Sequence, residues 1–338
     1  MKAFLTASFD APARARLERI MPVHVEDWRV TKHLFFDGAE FARRIREEGC
    51  DVVIVEADLV HREVFEGVEG LRMVGVCRGD PVNVDVALAT ERGIPVFHTP
   101  ARNADAVADL TLCFMLMVAR HVRQGVDFVR GKDTPWSGAG DYLKMYEAMH
   151  GVELGGRTVG LVGFGAIGRR VAKRVQAFGA DVVAFDPHLP DRVFEEAGVR
   201  RDDLDGVVAA ADFLSIHVPD VPETRGLVGA AQIARMKPGA YFVNTARAAA
   251  VEEEPLYRAL ASGRIRAAAF DVMWNEPASA EDRFVRLDNV IVTPHIGGAT
   301  HDVIAHQGQM VCDSIEAWLA GRKPPWIANP SVFRGTTG

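Results

Sequence analysis

The sequence predicts an α/β protein with two domains, each built around a parallel β-sheet. Three observations support this fold class. The chain has 338 residues, which is more than a single hydrophobic core usually serves. Short apolar runs alternate with amphipathic stretches through its first part, and a second alternation of the same kind starts at Thr158. Such strand–helix alternation is typical of parallel sheets, because parallel strands need a crossover connection between them.

The first alternation contains four strand candidates and two helix candidates. The strands are KAFLTA, DVVIVEA, LRMVGVC and IPVFHTP, and the helices are ARARLERI and AEFARRIREEG. A long helix, ADAVADLTLCFMLMVARHVRQ, follows its expected cap Asn103. Its apolar surface is broad, so we expect it to lie against another domain or subunit. The segment 131–156 lacks a clean periodicity and is interpreted as an arm that packs on a partner subunit.

The second alternation contains six strand candidates. They are TVGLVGFG, DVVAFDP, ADFLSIHVP, AYFVNTAR, RAAAFDVM and NVIVTPH, and helical segments separate several of them. One more long helix, THDVIAHQGQMVCDSIEAWLAG, is predicted near the end of the sequence.

Composition narrows the function classes. Hydrophobic residues make up 48% and the net charge is −7, which is ordinary for a globular protein. The sequence has no dense basic block, so a nucleic-acid partner is not expected. The four cysteines are scattered, so neither a zinc site nor a disulfide framework is expected. The N-terminus does not have the pattern of a signal peptide, and the longest apolar run, LTLCFMLMVA, is too short to span a membrane. We therefore expect a cytoplasmic protein with no membrane partner and no metal.

A glycine-rich loop follows the first strand of the second alternation. Gly163, Gly165 and Gly168 form a G-x-G-x-x-G pattern between a predicted strand and a predicted helix. The first glycine allows the tight turn, the second lets the backbone approach a pyrophosphate, and the third lets helix and strand pack closely. The helix N-terminus favours an anion, so this context predicts a dinucleotide site.

Asp186 ends the next strand, 18 residues after Gly168. Its carboxylate can accept hydrogen bonds from the adenosine ribose hydroxyls and would repel a 2′-phosphate. Pro187 and His188 follow it, and no arginine stands there to accommodate such a phosphate. The sequence therefore favours NAD over NADP.

Three later strands lead to charged residues. AYFVNTA ends at Arg247, AAAFDVM leads through WNEP to Glu276, and NVIVTPH ends at His295. Ligands of open parallel sheets bind at the carboxyl ends of the strands, so we expect these side chains to meet.

The three residues suit hydride transfer to a carbonyl. The guanidinium of Arg247 can fix a carboxylate and polarise the carbonyl. His295 can supply the proton near neutral pH, and in the reverse direction it can act as the base. Glu276 can hold the imidazole in position and favour its charged form. Asp271, at the end of AAAFD, is placed to accept from the nicotinamide carboxamide.

With these residues, the chain resembles the D-isomer-specific 2-hydroxyacid dehydrogenase family, whose members include phosphoglycerate, glycerate and formate dehydrogenases. The resemblance runs from about Asp51 to about Gly308. It rests on the ordered motifs NVDVALATERGIPVFHTP, NADAVADLTLCFML, LVGFGAIGRRVA, HVPDVPETRGL, MKPGAYFVNTARAAAVEEEPL, AAFDVMWNEP and VIVTPHIGG.

The resemblance implies a flavodoxin-like substrate-binding domain, 1–101 with 298–338, and a Rossmann NAD-binding domain, 102–297, with a cleft between them. It implies a homodimer or homotetramer joined through the NAD-binding domain. It implies Arg247 for the substrate carboxylate, His295 as acid/base and Glu276 as its partner. Arg78, Gly79 and Asn103 are expected to bind substrate as well. Further cofactor contacts are expected from Ala166, Ile167, His217, Val218, Pro219, Thr224, Thr245, Ala246 and Gly297.

The sequence departs from the family pattern at three places. Ala248 and Ala249 follow Arg247 where glycine is common, and a glycine needed for positive φ would not tolerate alanine, so the backbone there is expected to differ. Asp109 stands where glutamate is usual. The loop VCRGDPVNVD carries Arg78 where the family commonly shows a Gly-x-Gly-x-Asp-Asn pattern, which bears on the substrate rather than on the reaction.

Two other functions remain open from the sequence. One is an NAD(H)-sensing binding protein, because the C-terminal-binding-protein corepressors resemble the same family. The other is a dehydrogenase of a one-carbon or inorganic substrate such as formate or phosphite, although the Glu–His pair and the absence of long insertions argue against formate.

Overall fold

The computed structural model describes residues 1–131 and 138–333. Two compact units divide the chain. The first unit is Met1–Asn103 with Thr300–Gly338, and the second unit is Ala104–Ala299. The domain boundaries expected from the sequence, after 101 and after 297, each lie two residues before the boundary between the two units. The role of each unit stays a prediction.

The first unit contains a five-stranded parallel sheet in the order β2-β1-β3-β4-β5. This is the flavodoxin-like order of doubly wound sheets. The four predicted strands are present. β2 was missed, because it is a three-residue edge strand, only half-buried, with a histidine in its centre. The strands are β1 (Ala3–Leu5), β2 (Val23–Val25), β3 (Val52–Val55), β4 (Met73–Val76) and β5 (Val96–Phe97).

Helices cover this sheet. The two predicted helices are α1 and α3, and Asp10 and Asp37 cap them by accepting from backbone N–H groups of the first turn, as N-cap residues do. The predicted long helix near the end of the sequence is α14, which packs against α1. The helices of the first unit are α1 (Ala11–Ile20), α2 (Trp28–Thr31), α3 (Gly38–Glu47), α4 (Arg62–Gly67), α5 (Val86–Glu91) and α14 (His301–Leu319).

The second unit contains a seven-stranded parallel sheet in the order β12-β11-β10-β9-β6-β7-β8. Counted within the unit, this is the Rossmann order 3-2-1-4-5-6 with one more strand. All six predicted strands are present. β8 was missed, because it is two exposed arginines at the sheet edge. The strands are β6 (Thr158–Val162), β7 (Asp181–Phe185), β8 (Arg200–Arg201), β9 (Phe213–Ile216), β10 (Tyr241–Asn244), β11 (Ala267–Phe270) and β12 (Val290–Val292).

The helices of the second unit are α6 (Ala104–Ala119), α7 (Val122–Val129), α8 (Ala139–Ala148), α9 (Ala166–Ala177), α10 (Asp191–Glu196), α11 (Leu204–Ala210), α12 (Ala230–Arg235) and α13 (Glu253–Ala261).

The long helix predicted after Asn103 is two helices in the structure. It breaks at His121, which has a left-handed φ of 51°, and α7 begins at the next residue. Part of the broad apolar surface of α6 is explained by packing within its own unit, since α6 packs on α9, β10 and β11. Of the predicted arm 131–156, residues 132–137 lie outside the described residues, and Ala139–Ala148 is helical.

Within residues 1–131 and 138–333, no helix combines the length and apolar character that crossing a membrane requires. The same part of the chain has no cluster of three or more His, Cys, Asp or Glu residues that could hold a metal ion.

Candidate active site

The carboxyl ends of β6, β7, β9, β10, β11 and β12 form one edge of the second-unit sheet. Most of the residues predicted from sequence to bind cofactor or to act in catalysis follow these strand ends directly. We call this region the second-unit edge and describe it strand by strand.

The phosphate loop follows β6, and two of its glycines are required by the fold. Gly163 has a φ of +98°, and a Cβ there would lie 2.6 Å from the carbonyl oxygen of His217. A Cβ on Gly168 would lie 2.3 Å from the carbonyl oxygen of Gly163. Any side chain at either position would therefore push apart the strand, the loop and α9.

Gly165 is different, because nothing in the fold excludes a side chain there. A Cβ added at Gly165 would meet no heavy atom of the described residues within 4 Å. Gly165 is the N-cap of α9, a helix of 12 residues, whose first N–H groups and dipole favour an anion. The open space at a helix N-terminus fits a pyrophosphate, which is the group that the loop was predicted to bind.

The carboxylate of Asp186, after β7, lies against this loop. Its Oδ2 accepts a hydrogen bond from Phe164 N at 3.0 Å, and its Oδ1 accepts one from His188 N at 3.0 Å. These contacts hold the carboxylate beside the phosphate loop, as the predicted ribose contact requires.

An arginine that does not follow Asp186 in the sequence lies near it in the structure. Arg201 of β8 donates from Nη2 to the Asp186 carbonyl oxygen at 3.3 Å. The sequence could not show this, because the two residues are brought together by the parallel pairing of β7 with β8, in which Ala184 lies opposite Arg201. The guanidinium also pairs with Asp191 and lies 5.2 Å from the Phe194 ring centroid.

The loop after β9 contains His217, Val218, Pro219 and Thr224. His217 is buried, its Nε2 shares a 2.9 Å hydrogen bond with Ser215 Oγ, and burial lowers its pKa to about 3. It is therefore neutral at physiological pH, and its Nδ1 has no hydrogen-bond partner within the part of the chain that the structure describes. Thr224 Oγ1 donates to the Pro219 carbonyl at 2.6 Å, which fixes the shape of the loop.

The loop after β10 carries Thr245, Ala246 and Arg247, and a residue missed from the sequence, Asn244, fixes its course. Asn244 is fully buried. Its Nδ2 donates to the Arg247 carbonyl at 2.9 Å, and its Oδ1 accepts from Ala246 N at 3.0 Å. Thr245 Oγ1 lies 2.8 Å from Thr111 Oγ1 of α6, so its hydroxyl also has a partner within the unit.

Arg247 projects from this loop as an exposed side chain, and its Nη1 donates to the Ala246 carbonyl at 2.7 Å. A short 3₁₀ turn, Ala248–Ala250, follows. Neither Ala248 nor Ala249 is among the residues with positive φ. The conformation at this point is thus one that alanine adopts without strain.

Asp271, after β11, holds the turn that carries His295. The Asp271 side chain is almost completely buried. It accepts hydrogen bonds from Thr293 Oγ1 at 2.5 Å, from Ile296 N at 2.8 Å and from Gly297 N at 2.7 Å. The nicotinamide contact predicted for Asp271 would have to share an oxygen that already accepts from this turn, and it stays a prediction.

His295 occupies the left-handed region, with a φ of 56°. A non-glycine residue there is uncommon, and the strain persists only where its surroundings impose it. The hydrogen bonds from the adjacent Ile296 and Gly297 to Asp271 supply that constraint. They direct the imidazole towards Glu276, with 3.0 Å between His295 Nδ1 and Glu276 Oε2.

Glu276 is ionised in this arrangement. Burial raises the pKa of its carboxyl, but hydrogen bonds from His295 and Met273 N outweigh that effect, helped by the charges of His295 and Arg247. The pKa of Glu276 is therefore lowered. An ionised carboxylate only accepts hydrogen bonds, so Nδ1 of His295 carries a proton and Nε2 is the nitrogen that can gain or lose one. The imidazole is half-exposed, with 50% of its side chain accessible.

A cavity of about 290 Å³ unites these residues. Arg247, Glu276 and His295 all line it. The rest of its wall is Asp220, Ala248, Ala249, Val272, Met273 and Trp274. The predicted catalytic residues are thus brought together in one place. Asp220 was missed, although its position between the predicted contacts Pro219 and Thr224 was a signal that could have found it.

The other residues predicted to bind substrate belong to the first unit. Arg78 follows β4 and is half-buried, and its carbonyl accepts from Thr99 N at 2.8 Å. The Gly79 carbonyl accepts a hydrogen bond from His98 Nδ1 at 2.9 Å. Asn103 is the last residue of this unit before α6.

Comparison with known proteins gives consistent matches. Residues 112–297 match the family model of the NAD-binding domain of D-isomer-specific 2-hydroxyacid dehydrogenases. A Bacillus subtilis protein named as a 2-hydroxyacid dehydrogenase is 36% identical over 322 residues, which is 94% of this chain and 91% of the relative. The D-3-phosphoglycerate dehydrogenase of Methanocaldococcus jannaschii is 37% identical over 86% of this chain, but the chain spans only 53% of that enzyme.

Solved structures agree with this. A crystal structure from Polaromonas sp. JS6 66, described as an NAD-binding D-isomer-specific 2-hydroxyacid dehydrogenase, is 30% identical. It superposes with a TM-score of 0.82, and the match covers 96% of this chain and 98% of that one.

Proposed function

Since the chain belongs to the D-isomer-specific 2-hydroxyacid dehydrogenase family, we propose that it interconverts a D-2-hydroxy acid and its 2-keto acid, with His295 as the acid/base. At the family level, the protein is an NAD-dependent oxidoreductase. One observation carries the finer proposal. The hydrogen-bonded pair of Glu276 and His295 lines the same cavity as Arg247, so a proton donor and an anion-binding group face one space.

The proton is handled by the Glu276–His295 pair. In reduction, His295 Nε2–H donates its proton to the carbonyl oxygen of the keto acid, and in oxidation neutral Nε2 takes the hydroxyl proton. Glu276 holds the Nδ1–H tautomer throughout and stabilises the charged ring when both nitrogens are protonated. The left-handed turn held by Asp271 keeps the imidazole in its place.

Arg247 binds the substrate. Its Nη1 is occupied by the Ala246 carbonyl, while the rest of the guanidinium can donate to the substrate carboxylate in a planar fork. Because Asn244 fixes the backbone on both sides of Ala246, the starting point of this long side chain is well defined. Arg247 thereby orients the carbonyl towards His295.

NAD supplies or accepts the hydride when it is bound. The residues proposed to hold it are those of the second-unit edge. The N–H groups of Gly165, Ala166 and Ile167 would meet the pyrophosphate, and the Asp186 carboxylate would accept from the adenosine ribose hydroxyls. The further contacts proposed are the backbone or side chains of His217, Val218, Pro219, Thr224, Thr245, Ala246, Asp271 and Gly297.

Arg78, Gly79 and Asn103 remain proposed substrate residues. Among the described residues, none forms an ion pair with Arg78, although Asp80 is only two positions away. Arg78 is therefore proposed to meet a second polar group of the substrate. Arg78→Ala should raise KM for a keto acid with a polar tail relative to KM for glyoxylate by roughly threefold to tenfold, the worth of one charge-assisted contact. Equal changes on both substrates would contradict this role.

The alternative of an NAD(H)-sensing binding protein has no support among the relatives described above, which are named as dehydrogenases. A sensor needs only to bind NADH, whereas a dehydrogenase must turn over. The test is NADH oxidation with a panel of 2-keto acids, namely glyoxylate, hydroxypyruvate, phosphohydroxypyruvate and bulkier sugar acids. We expect turnover of at least one, with kcat lowered by about 10²–10⁴ in His295→Asn. NADH binding without turnover of any would overturn the proposed function.

A further inference from the structure

An acidic residue lines the cavity in which an anionic substrate is proposed to bind. Asp220 shares this cavity with Arg247, Glu276 and His295. It comes four residues after the end of β9, and Thr224 fixes the loop around it by donating to Pro219 O and accepting from Val221 N. The position of Asp220 in the cavity wall is thus set by the fold of the loop.

Asp220 lacks a strong cationic partner among the residues around it that the structure describes. Glu276 accepts a hydrogen bond from His295 at 3.0 Å and is further stabilised by the charge of Arg247, which is proposed to bind the substrate carboxylate. Asp220 Oδ1 is 3.3 Å from Arg225 Nε, but 66% of the Arg225 side chain is exposed, so solvent screens this pair and it neutralises Asp220 weakly. Oδ2 of Asp220 has no hydrogen-bond partner within residues 1–131 and 138–333.

A carboxylate in this wall acts on the part of the substrate beyond its own carboxylate. It repels a second negative charge, and like charges facing each other are an effective means of excluding wrong ligands. It also accepts a hydrogen bond from a donor, and a bond to an ionised acceptor is about twice as strong as a neutral one.

We propose that Asp220 is a specificity-determining residue that selects 2-keto acids with a hydrogen-bond-donating tail and disfavours those with a second negative charge. This inference rests on the proposed function and names the substrate class of the same site. It predicts a higher kcat/KM for hydroxypyruvate-like substrates, which carry a hydroxyl, than for phosphorylated or dicarboxylic keto acids.

The test compares three substrates that differ only in the tail: glyoxylate has none, hydroxypyruvate has a hydroxyl, and phosphohydroxypyruvate has a phosphate. kcat/KM for each is measured with NADH for the wild type and for Asp220→Asn, which keeps the shape and removes the charge. The ratio of phosphohydroxypyruvate to glyoxylate should rise by about threefold to tenfold, because a partly solvated like charge near the tail is lost. The ratio of hydroxypyruvate to glyoxylate should fall by about twofold to fivefold, because a charged acceptor is replaced by a weaker amide.

Glu223→Gln is the matched control. Glu223 is exposed in the same loop but does not line the cavity, and its substitution changes the net charge by the same amount. Both substrate ratios should stay within about twofold of the wild type in this variant, as expected for a screened surface charge.

Three results would overturn the inference, and they differ from one another. If Asp220→Asn leaves both ratios unchanged while all enzymes turn over, Asp220 does not contact the tail and the proposed function stands. If Glu223→Gln reproduces the changes, the effect comes from net charge. If the wild type reduces none of the three substrates or the bulkier acids, the proposed function fails and the inference fails with it.

Discussion

The two sheets each end in polar side chains at their carboxyl edge, and the two edges differ in how these side chains are partnered. At the first-unit edge, Asp58 is fully buried and accepts from Thr6 Oγ1 at 2.6 Å and from Phe35 N at 2.9 Å. Glu56 accepts from Arg102 Nη1 at 3.2 Å and from Trp28 Nε1 at 3.1 Å. Both carboxylates are thus matched by donors of the same unit.

At the second-unit edge, the fold leaves polar groups available. Arg247 and His295 are exposed, and His295 is in a left-handed conformation. The residues beneath them, Asn244 and Asp271, are buried and fully engaged in holding the loops. The difference between the edges suggests that an internally matched polar network mainly stabilises the fold, whereas a rigid layer beneath exposed polar groups prepares a site for ligands.

Replacing the proposed acid/base is the strongest way to test this distinction. His295→Asn should lower kcat by about 10²–10⁴, the usual worth of a positioned proton donor. Asparagine tolerates the left-handed backbone, so the free energy of unfolding and the Kd of NADH should change little. Steady-state kinetics, thermal unfolding and NADH titration check these expectations. His61→Asn, at an exposed histidine of the first unit, is the control and should keep its activity. A retained kcat in His295→Asn would exclude this residue as the acid/base.

Removing a side chain from the first-unit edge should lower the stability of the protein and leave kcat nearly unchanged. Asp58→Ala leaves Phe35 N buried without its acceptor and leaves Thr6 Oγ1 with only a long contact of 3.4 Å to the Ile54 carbonyl. Unfolding in urea should show a loss of about 2–4 kcal/mol, because each unsatisfied buried donor costs about 1–3 kcal/mol. The kcat of the remaining folded protein should be nearly unchanged. Asp80→Ala, at an exposed position of the same unit, should cost almost nothing. A large loss of kcat with intact stability would mean that the first-unit edge also takes part in the chemistry.

The pair of Glu276 and His295 gives a pH-dependent test. Glu276→Gln should lower kcat by about 10–10², less than the His295 variant, because an amide can still accept from Nδ1–H but does not stabilise the charged ring. The pKa of Glu276 is lowered from 4.5 in the folded protein. The wild-type carboxylate is therefore ionised above that lowered pKa, and its advantage is lost as the pH falls through it.

Between about pH 6 and 8, the ratio of wild-type to Glu276→Gln kcat for reduction should therefore rise with pH, because a ring that the carboxylate no longer stabilises keeps its transferable proton less well. Initial rates of NADH oxidation across this range measure it. A ratio that stays constant across this range would mean that Glu276 does not stabilise the charged imidazole, which would contradict its proposed role.

Much of the second-unit edge could be predicted from the sequence, because local patterns determine it. The phosphate loop, Asp186 and the residues at three strand ends follow directly from buried runs and what succeeds them. The supporting layer was not found. Asn244 was read as part of a buried strand, although a polar residue at the end of AYFVN was a usable signal, and Asp271 was interpreted as a cofactor contact rather than as the support of the His295 turn.

Features that depend on long-range pairing could not be predicted. β8 and β2 are too short and too exposed to be recognised as strands, so the position of Arg201 beside Asp186 was not foreseen. The break between α6 and α7 was also missed, because nothing in the local sequence marks His121 as the residue that takes a positive φ. The apolar surface of α6 was correctly recognised as broad. Part of it packs on α9, β10 and β11 of the same unit, and its contact with another domain or subunit stays a prediction.

The smallest expected effect is on the choice between NADH and NADPH. It tests the roles of Asp186 and Arg201 at the second-unit edge. The Asp186 carboxylate would repel a 2′-phosphate, while Arg201 lies against the Asp186 carbonyl and is anchored by Asp191 and by the Phe194 ring. Asp186→Asn removes the charge and can keep the acceptor for Phe164 N. The ratio of kcat/KM for NADPH to that for NADH should rise by about tenfold, the worth of one unfavourable charge contact in a partly solvated site.

Adding Arg201→Gln should reverse part of that gain, because the nearby cation would no longer attract the phosphate. If the double variant keeps the full gain, Arg201 serves only to anchor β8 to β7; if Asp186→Asn shows no gain at all, the ribose assignment of Asp186 is wrong.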